Sequence, residues 1–314
     1  LVGPEAEVCI GPETRVVEAG GDVIAPGFIE SHAHLDHLHR LDAYLAAAIP
    51  TGLTTLVTET SVLATVGGLP AIQVFLATFP SLPITVLATA PVIAYLEAEG
   101  RAGGPPLDEE EMARLLEEPG VVGLGEVYWP AALAGREALP RLIAKAESLG
   151  KTVEGHAAGA RGAKLAAFVA AGATSCHEPI SPEQVQARLR LGLFTMVRDG
   201  SIRRDTPALT GLPGAAARRL ILASDTVWAP DLLERGYLDE AARQAVKMGL
   251  HPLQALQALT LAPAEHFGLD GRVGGLAPGR QADILLIPDL AAFRPRAVIA
   301  RGRQIGRASC RERV

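Results

Sequence analysis

The sequence predicts an α/β protein: a (β/α)8 TIM barrel with a small flanking β-sandwich-like domain made from both termini. Eight short, β-rich apolar runs recur at residues 23–34, 54–60, 84–92, 121–127, 152–158, 173–179, 193–200 and 219–226. Their starts lie about 20 to 37 residues apart, room for one strand, one helix and two loops. The runs are apolar on both faces, which suits parallel strands buried on both sides. Histidines and carboxylates collect at their carboxyl ends, the face on which barrels carry their chemistry.

The segments between the runs read as helices. Residues 108–118 open on an acidic first turn and stop before Pro119-Gly120, as charge and proline dictate. Residues 131–149 and 231–248 carry apolar side chains at three- and four-residue intervals, with Gly150 and Gly249 just past their ends as C-caps. The barrel is expected over 23–270. Residues 1–22 and 271–304 are turn-rich and β-like and are expected to supply the small β domain. Residues 100–106 read as a loop. The chain begins at Leu1 and closes on Ile305 to Val314, a basic stretch without apolar period that resembles vector sequence and is set aside.

With 314 residues, 48% hydrophobic and 20% charged, the chain can bury a full core. A net charge of −6 speaks against nucleic acid or an anionic membrane as partner. No apolar run approaches the ~20 residues that span a bilayer. Cys9, Cys176 and Cys310 are far apart and odd in number, which fits a reducing compartment. With no signal peptide visible, a cytoplasmic location is expected, the partner being a small-molecule substrate and a homo-oligomer left open.

The chemistry rests on His32, His34, Glu126, His156, His177 and Asp225, each at the carboxyl end of a run. Residues two apart on a strand point the same way, so His32 and His34 both aim into the barrel mouth. One strand histidine alone is more often a hydrogen-bonded core residue than a ligand. Together with carboxylates that would be costly in an apolar interior unless paired or metal-bound, they point to a metal site. Imidazole and carboxylate without thiolate suit Zn, Mn or Fe, and two divalent ions can share a bridging carboxylate. Cys176 falls on the opposite strand face from His177 and reads as packing. Arg198 and Ser201 end the seventh run, where a cation and a hydroxyl could orient substrate, a salt bridge with a neighbouring acid being an equal reading for Arg198. His37, His39, His251 and His266 read as surface or structural, with His37 near enough to reach the pocket.

The order His-x-His, Glu on strand four, His on strands five and six and Asp on strand eight is similar to the amidohydrolase superfamily of metal-dependent hydrolases. It resembles the adenine deaminase branch most, through Ala25 to His34 (APGFIESHAH), Val121 to Val127 (VVGLGEV), Glu154 to Ala157 (EGHA), His177-Glu178, Val197 to Ser201 (VRDGS) and Ala262 to Leu269 (APAEHFGL). The resemblance implies that His32, His34, Glu126 and Asp225 surround one metal, that Glu126, His156 and His177 hold a second, and that Asp225 and Glu178 move protons. It implies hydrolytic deamination, adenine and water giving hypoxanthine and ammonia, as in purine metabolism. Related hydrolases of cyclic amides usually carry a carboxylated lysine where Glu126 stands. The chain departs from the branch at Leu35-Asp36-His37, at Thr58-Glu59-Thr60-Ser61, at Tyr128-Trp129-Pro130 and at Thr226. Asp36 and Glu59 therefore join Arg198 and Ser201 as expected substrate-binding residues. Hydrolysis of an amide or cyclic amide on the same metal pair is the enzymatic alternative. A barrel kept for binding or scaffolding is the other, though such a barrel would be expected to lose some of the six ligands.

Overall fold

The structure, a computed structural model, describes residues 3–97, 107–135, 138–212 and 214–307. The loop expected at 100–106, Cys310 and most of the basic tail lie outside them. Twelve strands are present among the described residues: β1 (Val23–Pro26), β2 (Phe28–Ala33), β3 (Leu53–Thr58), β4 (Thr85–Pro91), β5 (Val121–Tyr128), β6 (Thr152–His156), β7 (Ser175–Cys176), β8 (Phe194–Arg198), β9 (Leu220–Ala223), β10 (Ile284–Ile287), β11 (Ala297–Ala300) and β12 (Arg303–Arg307).

Strands β2 to β9 are the eight parallel strands of the barrel. They run as two sheets, β2-β3-β4-β5-β6 and β7-β8-β9. Two seams join these sheets. At β9–β2 the Asp225 amide donates to His32 O (2.9 Å) and the His34 amide to Asp225 O (3.1 Å). At β6–β7 the Thr174 amide donates to Val153 O (2.9 Å), and the Thr174 hydroxyl donates to the same oxygen (2.9 Å) while accepting from the Val153 amide (3.0 Å). Side chains thus do at this seam what a regular ladder does elsewhere.

The first predicted strand is in fact two. It breaks at Gly27, whose amide donates to Asp283 O (3.0 Å) and where a Cβ would meet Thr54 Oγ1 at 2.0 Å, so only glycine passes. The residues before the break, β1, pair antiparallel with β10 in a four-stranded sheet of order β1-β10-β11-β12. That is a single layer; the second layer of a sandwich has no counterpart among the described residues. Residues 4–9 form a 3-10 helix instead of the expected strand, and no strand occurs in 3–22.

Helices fill the outer layer. The Asp108 side chain accepts from the Glu111 amide while Glu111 accepts from the Asp108 amide, a capping box on helix Glu109–Glu117. The two long helices expected at 131–149 and 231–248 are each split, into Trp129–Leu133 and Ala138–Ser148 and into Ala229–Glu234 and Leu238–Lys247. Helix Ser61–Thr78 corrects a further expectation. With its 3-10 extension it runs Ser61–Ser81, 21 residues containing an 18-residue window of mean hydropathy 1.8, long and apolar enough to cross a membrane by length and composition. Here it packs on the barrel through Ala64 and Ile72, and it is kinked at Gly68, just before Pro70.

Two large apolar clusters lie between strands and helices. A smaller one, Val57, Leu87, Val122, Met196 and Ile221 with Phe267, fills the barrel interior, so the lumen is a packed core.

Candidate metal centre at the barrel mouth

The six expected ligand residues converge at the carboxyl ends of β2, β5, β6, β7 and β9. His32 and His34 leave β2 and its end, with ring centroids 5.2 Å apart and edge to face. The His177 ring stacks on His32 at 4.0 Å. Glu126 lies between them and His156: its Oε1 is 3.4 Å from His156 Nδ1, 3.4 Å from His177 Nε2 and 3.9 Å from His32 Nε2. Asp225 Oδ1 is 3.2 Å from His34 Nε2 and 3.7 Å from His32 Nε2. Donor atoms of His32, His34 and Glu126 all fall within 4.8 Å of one another, as do those of Glu126, His156 and His177. Glu126 belongs to both groups.

The backbone is bent to achieve this. Glu126 (φ 40°) and Asp225 (φ 64°) adopt the left-handed region, which side chains other than glycine rarely enter; only Phe293 and Arg301 share it among the described non-glycine residues. At Glu126 the β5–β6 register shifts between Leu124 and Val127, and this bulge re-aims the carboxylate. Strain concentrated on the two acids that face the histidines is what a functional site stores.

The charge states are mixed: His34, despite burial, is raised to about 9 by its hydrogen bond to Asp225 and the nearby carboxylates and would release a proton on taking a cation, while its neighbours are already set for one. Burial, and then the neighbouring His177, push the His32 imidazole well below its usual pKa, keeping it in the neutral form that donates a lone pair. For Glu126 burial opposes ionisation, yet hydrogen bonds from His156 and His177 outweigh it and hold the group well below the carboxylate range. Asp225 follows the same pattern, with burial outweighed first by the hydrogen bond from His34. His32 Nε2 is buried without a hydrogen-bond partner. A buried, neutral, unpartnered ring nitrogen facing two carboxylates fits a divalent ion, and the donor set suits Zn, Mn or Fe.

Beside the cluster, one guanidinium holds the acids in place. Arg198 Nη1 donates to Glu178 Oε1 (2.7 Å) and to Asp225 Oδ2 (3.0 Å), and Nη2 to Glu178 Oε2 and Asp205 Oδ2 (both 3.2 Å). Arg198 is thus saturated by carboxylates, and its expected direct grip on substrate gives way to a bracket spacing Glu178 from Asp225. Asp205, its third partner, sits in no recognisable motif.

Of the other expected substrate contacts, Ser201 falls away from the cluster, while Asp36 and Glu59 lie against it, an Asp36 oxygen standing within 4.8 Å of donor atoms of His34 and His37. Ser201 donates to Asp231 Oδ2 (2.5 Å) and accepts from the Trp228 amide (2.8 Å), which ties two loops together away from the cluster. Asp36 Oδ2 accepts from the Val62 and Leu63 amides, at the start of helix Ser61–Thr78. Glu59 is fully buried beneath the histidines, 3.7 Å from His32 Nδ1, in space that exists because residue 125 is glycine: a Cβ there would stand 2.0 Å from Glu59 Oε2. His37 stacks on His34 at 4.5 Å, so it does reach the site. Tyr128, one of the departures from the resembling branch, packs its ring 4.4 Å from His156.

Next to Arg198, burial raises the Asp199 carboxyl to about 6, with Arg235, 3.7 Å away, offsetting only part of this. A carboxyl whose folded pKa exceeds its unfolded value destabilises the fold increasingly as pH rises from about 4 to 6 and fully above that. Asp199→Asn is therefore expected to be no more stable than the parent at pH 4 and more stable by up to about 3 kcal/mol at pH 7. Urea unfolding at both pH values checks this; a pH-independent difference refutes it.

The fold and this centre define a metal-dependent hydrolase barrel. Residues 23–305 match the amidohydrolase family, and the chain belongs to it. It is 34% identical over 307 residues to the adenine deaminase of Moorella thermoacetica, covering 96% of this chain and 52% of that protein. To the adenine deaminase of Deinococcus deserti it is 40% identical over 282 residues, covering 89% and 50%. The chain thus spans about half the length of the curated relatives it matches. Among solved structures, a β-aspartyl dipeptidase of Fervidobacterium islandicum superposes with a TM-score of 0.66 at 16% identity, over 94% of this chain and 86% of that one.

Proposed function

We propose that the chain is the metal-binding barrel of a hydrolytic deaminase acting on adenine or a close 6-aminopurine, producing hypoxanthine and ammonia in the cytoplasm. The observation that carries the reading is the pair of ligand groups sharing Glu126, His32-His34-Glu126 and Glu126-His156-His177, with Asp225 and Glu178 beside them on one guanidinium. The adenine deaminase relatives, 34% and 40% identical, support the substrate class.

Two divalent ions, Mn, Fe or Zn, held by these residues would supply hydroxide at neutral pH, since such a pair lowers the pKa of water to about 7. Asp225 Oδ1, turned toward His32 and His34, takes the proton released from water. The new C–O bond forms at the ring carbon bearing the amino group and the C–N bond to that group breaks. The proton taken by Asp225 is relayed through Glu178, its neighbour on the same Arg198 nitrogen, to the departing nitrogen, and the second proton of water ends on the ring, so both acids finish as they began. Arg198 holds both acids at fixed spacing beside one reacting carbon. Tyr128 offers an aromatic wall beside His156 for a planar base.

Two metal equivalents are expected in protein purified without chelator and reconstituted with Mn or Zn, and loss of absorbance as adenine becomes hypoxanthine is expected with them. Zero equivalents refute the centre. Two equivalents with clear hydrolysis of an amide and none of adenine move the chain to the amide-cleaving alternative.

A further inference from the structure

Helix Pro182–Arg190 carries an arginine that the mechanism does not use. Arg188 is 1% exposed, one of the largest fully buried side chains of the protein, yet no carboxylate pairs with it among the described residues. Its donors go to neutral acceptors: Nε to Cys176 Sγ (3.1 Å), Nη1 to Gln184 O (3.2 Å) and Nη2 to Ala157 O (2.9 Å). Burying a guanidinium against neutral partners is costly, so a residue that does it holds something in place.

What it holds is the β6–β7 seam at its carboxyl end. Ala157 directly follows His156, and Cys176 directly precedes His177. Cys176 Sγ also accepts from the Glu178 amide (3.4 Å), so the sulfur links the guanidinium to the backbone of the proton-transferring acid. Backbone pairing alone fixes this seam only lower down, at Val153 and Thr174. Above it Ser175 Oγ donates to Glu154 Oε2 (2.6 Å), and at the ligand-bearing ends, where His156 Nδ1 and His177 Nε2 lie 3.2 Å apart, the brace comes from outside the barrel.

We propose that Arg188 is a positioning residue for the second metal ion, setting the separation of His156 and His177 by clamping the strand ends that bear them. The planar fork suits this role, because three of its nitrogens reach three fixed acceptors on two strands and a helix at once. The inference rests on the reading of Glu126, His156 and His177 as ligands. It is specific to that ion: the group of His32 and His34 is set across the β9–β2 seam, which Arg188 does not touch.

The test is a Zn titration against a chromophoric chelator, run alongside circular dichroism and thermal unfolding. The parent is expected to bind two ions. Arg188→Met is expected to keep one at parental affinity and to bind the other about 10- to 100-fold more weakly, the usual cost of removing an outer support of a ligand. In a His156→Ala background, adding Arg188→Met should weaken that ion no further than His156→Ala alone does. Thr174→Val, which loosens the same seam away from the ligands, is expected to lower Tm and leave both affinities unchanged. If Arg188→Met does not fold, Arg188→Lys, which keeps the charge but can brace only part of the seam, carries the test, with selective weakening of one ion supporting the proposal. A folded Arg188 variant with two parental affinities overturns it, as does equal weakening of both ions. A parent that binds no metal overturns the ligand reading and this inference with it.

Discussion

Asp225→Asn is expected to lower kcat by about 10²- to 10⁴-fold, the usual contribution of a positioned general base, with circular dichroism unchanged. The amide fills the same volume at the same left-handed backbone position but has no lone pair basic enough to take the proton from water. The variant also replaces an anion that His34 and Arg198 both contact, at 3.2 and 3.0 Å. Arg198 then keeps only Glu178 and Asp205 as partners, so some loss of metal affinity is expected beside the loss of rate. Measuring kcat at saturating Mn separates the two. Turnover within tenfold of the parent under that condition would remove Asp225 from the proton path.

His266→Ala is expected to cost about 3–5 kcal/mol of stability and to leave turnover per folded molecule within a few-fold of the parent. His266 Nε2 lies 2.8 Å from Glu154 Oε1 and 3.0 Å from Oε2, both side chains essentially unexposed. Burial opposes ionisation of Glu154, and the charge and hydrogen bond of His266, with Ser175 at 2.6 Å, outweigh it. Without the imidazole a buried carboxylate is left with hydroxyl partners only. Chemical denaturation measures the loss, and Glu154→Gln in the His266→Ala background should recover part of it. A loss below 1 kcal/mol would mean that the pair is worth little more than the space it fills.

The barrel was legible because its strands are apolar on both faces and evenly spaced, and that regularity survives every local exception. The six clustered residues were legible for a related reason: polar groups at the carboxyl ends of buried strands have few other places to go. What escaped is what single positions hide. Arg198 at a strand end reads equally as a substrate cation or as a bracket for acids, and only Glu178, Asp225 and Asp205 converging on it decide. Ser201 carries a functional-looking side chain that loop closure consumes, whereas Asp36 gives one oxygen to the helix start and keeps the other beside His34 and His37. Gly27 ends one strand and starts another because of Thr54, a neighbour no local pattern reveals. Glu154 and His266, 112 residues apart, each looked unremarkable, and the buried pair they form exists only once the barrel closes.

The two seams make the barrel a pair of half-shells, one of five strands and one of three, meeting along two joints. His156 and His177 face each other across one joint, and His32 and His34 meet Asp225 across the other, while Glu126 rises between them from the larger shell. Ions gripped by these residues would act as clasps, fastening shell to shell at both edges. Their binding free energy would then be added to the closed form alone, because an opened joint separates the donors. In such a molecule the cofactor that makes the chemistry possible is also what keeps the vessel shut.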